Sequence, residues 1–213
     1  LAPYLSSSLG AADTRVINMV AAYAVIVNGG KKVPPYMIER IQDRKGRTIY
    51  RHEQTPCPDC AAAKWENQSV PDFHVVREQV VDPLSAYQMT SILEGVATRG
   101  TGARLNGLHR HVAGKTGTTN ETKDAWFVGF TPDLVAGVYV GYDEPISLGR
   151  TETGAHAALP IFYDFMAEAL KNTPDTNFRI PEGIKLVRVN PQTGKPSSPS
   201  DSTVIIEALK PDF

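Results

Sequence analysis

The sequence carries almost no net charge. Its 22 lysines and arginines face 23 aspartates and glutamates, leaving a formal net charge of -1. Without a basic surplus there is no electrostatic case for binding nucleic acid or an anionic membrane surface. Long apolar runs are also missing: the longest, Met19 to Val27, is too short to span a bilayer. No signal peptide stands at the start, and the first residue is Leu1 rather than Met. The chain therefore reads as a piece of a longer one, and its lack of a targeting segment carries no message about location. Cysteine is scarce, confined to Cys57 and Cys60 in Cys-Pro-Asp-Cys. Such a pair is half of a zinc site, a redox pair or a small disulfide loop. His52 and His74 flank it at no recognised ligand spacing, and Glu53-Gln54-Thr55-Pro56 reads as loop where a thioredoxin-type motif wants a strand. The simplest reading is a disulfide pinning a surface loop in an oxidising compartment, with zinc or free thiols as the alternatives. No motif calls for a cofactor, and there is no internal repeat.

What is present suffices for a folded domain. The 213 residues are 41% hydrophobic and 21% charged, which is ordinary for a globular protein with a real core. Val16, Val20, Ala24 and Val27 recur at near-helical spacing, predicting a helix over 12–27 with Asp13 as its cap and Asn28-Gly29-Gly30 as its stop. A hairpin follows, Met37 to Ile41 and Arg47 to Arg51 flanking Asp43-Arg44-Lys45-Gly46. Residues 53–80 look irregular. Asp82-Pro83 opens a second helix with an inward stripe of Met89, Ile92, Leu93 and Val96. From His111 the period changes to that of strands: 111–119, 124–130 and 134–142, the last two joined at Thr131-Pro132-Asp133 and expected to pair antiparallel. Trp126, Val128 and Phe130 share one face. A third helix covers 154–170, with Ile161, Phe162, Phe165 and Leu170 expected to face inward. Beyond 172 the texture loosens into an appended arm with short strands near 185–190 and 203–208. Helices packed on an antiparallel meander make an α+β fold.

The sharpest chemical feature is Gly114-Lys115-Thr116-Gly117-Thr118-Thr119 on the first strand of the meander. A glycine beside the lysine leaves that side of the strand bare, so a substrate backbone can approach closely. The lysine supplies positive charge for a carboxylate, the threonine hydroxyls can hydrogen-bond it, and a free N–H at a strand edge can donate to an oxyanion. A Lys-Thr-Gly tripeptide alone is a weak signal, since chains of ordinary composition contain it by chance. Its setting is stronger. Arg99-Gly100-Thr101-Gly102 precedes it, and Lys123-Asp124-Ala125-Trp126-Phe127-Val128-Gly129-Phe130-Thr131-Pro132 and Val138-Tyr139-Val140-Gly141-Tyr142-Asp143 follow.

With those segments, Ala-Ala-Tyr-Ala before Val27-Asn28-Gly29-Gly30, and Ile41-Gln42-Asp43, the chain resembles the transpeptidase domain of class A penicillin-binding proteins nearly end to end. The resemblance implies a partial serine DD-peptidase/β-lactamase-like fold. Residues 1–172 would form the C-terminal part of the transpeptidase domain, including the 31–80 hairpin and Cys-x-x-Cys loop, with 173–213 as the arm. It implies that Lys115 supports proton transfer and the field around a nucleophile. Thr116 and Thr118 would grip the terminal carboxylate of a D-Ala-D-Ala stem peptide, or that of a β-lactam. The Thr118 N–H would form half of an oxyanion hole, Gly117 would keep the strand open, and Thr119 would at most support them. It also implies a glycosyltransferase domain upstream, a membrane anchor, and a site at the periplasmic face of the bacterial inner membrane.

The superfamily uses three motifs, Ser-x-x-Lys, Ser-x-Asn and Lys-Thr/Ser-Gly. The first two occur nowhere in this sequence. Without an activated serine, acyl transfer has no nucleophile, so the chain alone is expected to be inactive. It is also expected to expose apolar surface, covered by the missing N-terminal part of the domain or by self-association. Alternatives are a non-catalytic binding module, a carboxypeptidase or β-lactamase that uses water as acceptor, and a small metal or redox module on Cys57 and Cys60. Among neighbours of the motif, Trp126 is expected in the core, and His109 and His111 read as exposed rather than catalytic. Asp124 either orients the loop after the motif or is solvated. Arg99 to Gly102 reads as a turn, and Arg150 to His156 as a loop near the cleft rim.

Overall fold

The computed structural model describes residues 4–10, 12–52, 64, 66, 67, 69 and 77–211. Its regular elements begin with α1 (Val16–Val27), β1 (Arg40–Gln42), β2 (Thr48–Arg51) and α2 (Pro83–Arg99). There follow β3 (Ala113–Thr118), β4 (Asp124–Phe130), β5 (Val135–Gly141), α3 (Leu159–Ala169), β6 (Lys185–Val189) and β7 (Ile205–Leu209). They fall into two compact units, Pro34–Glu78 and the remainder of the chain.

In the smaller unit β1 and β2 pair antiparallel with Ile41 opposite Tyr50. Asp43 closes their turn. Its Oδ1 accepts from the Lys45 and Arg47 N–H groups at 2.8 and 3.0 Å, and its Oδ2 meets Arg47 Nε at 2.7 Å. The Arg47 guanidinium, more than any other contact, holds the Asp43 carboxyl below its usual range. Gly46 takes φ +79°, the conformation for which glycine suits this turn. Cys57 and Cys60 lie outside the described residues.

The larger unit is built on an antiparallel sheet in the order β3-β4-β5, with Lys115 opposite Val128 and Trp126 opposite Tyr139. This is the expected α+β meander. Alternation along β4 sends Ala125 and Phe127 to one face, where they pack with Ala158, Leu159, Phe162 and Met166. Phe127 and Phe162 are fully buried, with ring centroids 4.7 Å apart. Phe130 points to the other face, edge-on to Tyr23 of α1 and Phe178, beside Leu93 of α2. Gly137 lets α1 lie close on β5: an added Cβ there would stand 2.6 Å from Val20 Cγ2.

Four sequence expectations need correction. In α2 the residues turned to the core are Ala86, Thr90, Leu93 and Ala97, whereas Met89 and Ile92 are 43% and 55% exposed. Of the bulky aliphatics in the expected stripe, Leu93 is the one buried, in a cluster with Ala113 of β3 and Phe130. In α3 the buried residues are Leu159, Phe162 and Met166, while Ile161 and Phe165 lie half open to solvent. A π-wound turn, Gly154–Ala158, precedes α3 and resets the angular phase of its inward positions. Trp126 is half-buried rather than core, its ring 4.9 Å from that of Tyr139. The start of α1 also differs: its N-cap is Arg15, with no side-chain hydrogen bond, and Asp13 does not cap it.

Asp82 caps α2 as expected, accepting from the Ser85 N–H at 2.9 Å, with Pro83 at the first helical position. The arm folds as the β6–β7 hairpin and straps this helix. Gln88 Nε2 donates to the Ala208 carbonyl at 3.0 Å, Arg99 meets Glu207 at 3.3 Å, and Lys210 Nζ reaches Asp82 at 2.9 Å.

Candidate active site

β3 pairs with β4 along one side, and among the described residues no strand pairs with its other side. The Thr119 N–H donates to the Asp124 carbonyl at 3.1 Å. Since antiparallel residues alternate in direction, the N–H of Gly117 also turns to β4, and those of Thr116 and Thr118 turn to the free edge. The same strand buries Ala113 and Gly114 at its start and rises to the surface at Lys115. Gly114 is required: an added Cβ would lie 2.8 Å from the Val128 carbonyl and from the Phe127 ring.

The polar groups of the motif are arranged by their own contacts. Lys115 Nζ folds along the strand, 3.0 Å from the Thr116 carbonyl and 3.3 Å from Thr116 Oγ1. Thr116 Oγ1 lies 3.0 Å from Thr101 Oγ1, so the Arg99-to-Gly102 turn touches the motif. Thr118 Oγ1 accepts from the Gly154 N–H at 3.0 Å. Gly154 presses on the strand backbone, where an added Cβ would stand 2.5 Å from the Trp126 carbonyl and would also strike that of Gly117. Lys115, Thr116, Gly117 and Thr118 thus share one strand end, with two hydroxyls on the same face and two N–H groups on the open edge. An array of one ammonium, two hydroxyls and free N–H donors suits a carboxylate and an oxyanion.

Thr119 serves a different purpose. Its Oγ1 accepts from the Asp124 N–H at 2.8 Å and donates to Asp124 Oδ2 at 3.2 Å. Asp124 Oδ1 in turn accepts from Tyr139 Oη at 2.7 Å. That bond, with the negative charge beside it, raises the Tyr139 phenol above its usual range. Asp124 therefore orients the chain after the motif, one of the two roles the sequence left open. The next residues are strained: Glu121 and Thr122 adopt φ +61° and +52°. Thr122 Oγ1 anchors them on the Gly149 carbonyl at 2.7 Å.

His111 Nδ1 bonds Glu94 of α2 at 2.8 Å, and His109 takes φ +51° at the end of a short 3-10 turn. Neither contacts the motif among the described residues. Two cavities of about 250 and 350 Å³ adjoin Arg110 and Asp175, and neither is lined by residues 115–119. Sequence reasoning missed Thr101 as a motif contact and Gly154 as a donor. The signal for Gly154 was a glycine opening a helix, where capping side chains are the commoner choice.

Comparison with known proteins shows the family. The profile of the penicillin binding protein transpeptidase domain matches residues 4–167. Penicillin-binding protein 1A of Rickettsia felis is 45% identical over 208 residues, which cover 96% of this chain and 26% of that protein. Penicillin-binding protein 1A of Pseudomonas aeruginosa is 37% identical over 235 residues, covering 96% of this chain and 29% of the relative. The crystal structure of penicillin-binding protein 1A from Haemophilus influenzae superposes with a TM-score of 0.77 at 30% identity, over 95% of this chain and 33% of that one. The chain thus spans about a quarter to a third of the length of these relatives. It belongs to the penicillin-binding protein transpeptidase family.

Proposed function

We propose that the chain supplies the oxyanion- and carboxylate-binding half of a DD-transpeptidase site that cross-links peptidoglycan stem peptides. The observation that carries this is the free edge of β3, where the Thr118 N–H, the Thr116 and Thr118 hydroxyls and Lys115 lie within one strand end. In this reading a serine Oγ attacks the penultimate D-Ala carbonyl. The Thr118 N–H donates to the oxyanion that forms, worth a factor of about 100–1000 in rate for one such donor. Collapse of the adduct expels D-alanine and leaves an acyl-serine. An amine of a neighbouring stem peptide then attacks that ester, releasing the serine and completing the cross-link. Thr116 and Thr118 hold the terminal carboxylate, and Lys115 assists proton transfer and stabilises negative charge.

The sequence contains no Ser-x-x-Lys, so the nucleophile comes from a segment outside these 213 residues. That segment, or a second copy of the chain, would cover apolar side chains now exposed, among them Ile17 of α1 and Met89 and Ile92 of α2. Such a protein acts at the periplasmic face of the inner membrane. No helix of the described residues is long and apolar enough to cross a membrane.

Labelling with a fluorescent penicillin, read on a denaturing gel, tests this. No band is expected from the chain alone, and a band is expected once the Ser-x-x-Lys segment is supplied. A stable band from the chain alone, or none from the completed domain, refutes it.

A further inference from the structure

Thr101 ends α2 in a turn with little freedom. The Gly100 and Gly102 N–H groups both donate to the Val96 carbonyl, at 3.1 and 3.0 Å, and the Ala103 N–H donates to the Gly100 carbonyl at 3.2 Å. An added Cβ at Gly100 or Gly102 would meet the Val96 backbone at 3.0 or 3.2 Å. The two glycines let the chain fold back tightly on the last turn of the helix. That fold fixes the Thr101 hydroxyl 3.0 Å from Thr116 Oγ1.

We propose that Thr101 is a positioning residue that sets the hydrogen-bond direction of Thr116, and so the preference of the site for a carboxylate. This rests on the transpeptidase reading above. A hydroxyl has one proton to give and two lone pairs to fill. Lys115 Nζ donates to Thr116 Oγ1 at 3.3 Å and takes one lone pair. When Thr101 also donates, the second is taken, and the Thr116 proton must find its acceptor in the cleft. When Thr101 does not donate, that second lone pair is left empty and can face the cleft, where it repels an anion. A bound carboxylate, which only accepts, selects the first arrangement. Among the described residues Thr101 Oγ1 has no other hydrogen-bond partner, so its proton is available to Thr116. Thr118 follows the same logic on a fixed donor. Its oxygen is occupied by the Gly154 N–H, a group that cannot reverse, and its proton is left for the ligand. Two outward-pointing hydroxyl protons, two residues apart on one strand face, match the two oxygens of a carboxylate. An ester or amide in that place has a single good acceptor and uses them less well.

The test uses the full-length protein carrying the nucleophile. The second-order rate of acylation is measured for a penicillin with a free carboxylate and for its methyl ester, in wild type, Thr101→Val and Thr101→Ser. Valine keeps the shape and removes the donor, and serine keeps the donor. Loss of one neutral hydrogen bond predicts that the carboxylate-to-ester rate ratio falls about fivefold in Thr101→Val, with Thr101→Ser close to wild type. An equal loss for both substrates would mark Thr101 as part of the turn alone and overturn the proposal, as would an unchanged ratio. Wild-type protein that is never acylated would sink the transpeptidase reading together with this one. Wild-type acylation with an unchanged ratio in Thr101→Val sinks only the role of Thr101.

Discussion

Replacement of Gly154 by alanine tests whether the motif strand depends on the turn packed against it. The backbone of Gly154 lies outside the left-handed region, so alanine can adopt it without torsional strain. By backbone entropy alone Gly154→Ala should stabilise the protein by about 0.4–1 kcal/mol. Packing predicts the opposite sign. The new methyl would meet the Trp126 carbonyl at 2.5 Å, the Gly117 nitrogen at 3.0 Å and the Gly117 carbonyl as well. These are backbone atoms of paired strands and cannot swing aside as a side chain would. The turn Gly154–Ala158 must instead lift from the sheet, and with it the bond from the Gly154 N–H to Thr118 Oγ1. Overpacking costs about 1–3 kcal/mol and a neutral hydrogen bond about 1 kcal/mol more. At about 2–4 °C per kcal/mol for a domain of this size, Tm should fall by about 5–15 °C. Calorimetry or circular dichroism melting measures this directly. An unchanged or raised Tm would refute the close approach on which the placement of Thr118 depends.

Two further outcomes follow from the core and from the strap. Phe162 is fully buried against Phe127, and Phe162→Ala should cost about 3–5 kcal/mol, seen as a matching loss of unfolding free energy in urea; a loss near 1 kcal/mol would place the core elsewhere. The Asp82 carboxyl is held down to about 2, first by the Lys210 ammonium and then by Ser85. Its folded value lies below its unfolded one. The clasp therefore contributes fully above about pH 4 and is lost as pH falls through about 2. In Lys210→Ala the Asp82 titration followed by NMR should move up towards the ordinary carboxylate range; an unmoved midpoint would show that Lys210 does not hold the clasp.

The parts of this fold that were legible in the sequence are those set by neighbours along the chain. Asp82-Pro83 begins a helix because a carboxylate can cap free N–H groups and proline lacks the one it would waste. The β4–β5 hairpin is fixed by alternation and by a turn too short for anything but antiparallel return. The orientation of helices on the sheet was less legible, because it depends on distances between backbones. The large aliphatics of α2 form a persuasive stripe, yet of them Met89 and Ile92 stay exposed, and Leu93 is buried together with the small residues Ala86, Thr90 and Ala97. The phase of α3 was hidden by one π-wound turn, for which the sequence carries no periodic mark. The motif itself was readable as a string, but its working geometry was not. Thr101 and Gly154 lie 15 and 36 residues from the hydroxyls they touch. Each looks locally like turn or helix-start material, and each acts through a single bond whose partner only the folded chain brings near. A threonine hydroxyl is neutral and bidirectional, so its use as donor or acceptor is decided by whatever fills its lone pairs. In this site the hydroxyls of Thr116 and Thr118 meet a lysine on the strand, a threonine after α2 and a backbone amide before α3. The hydrogen-bonding of these two hydroxyls therefore depends on three elements meeting, and the Lys-Thr-Gly string records only one of them.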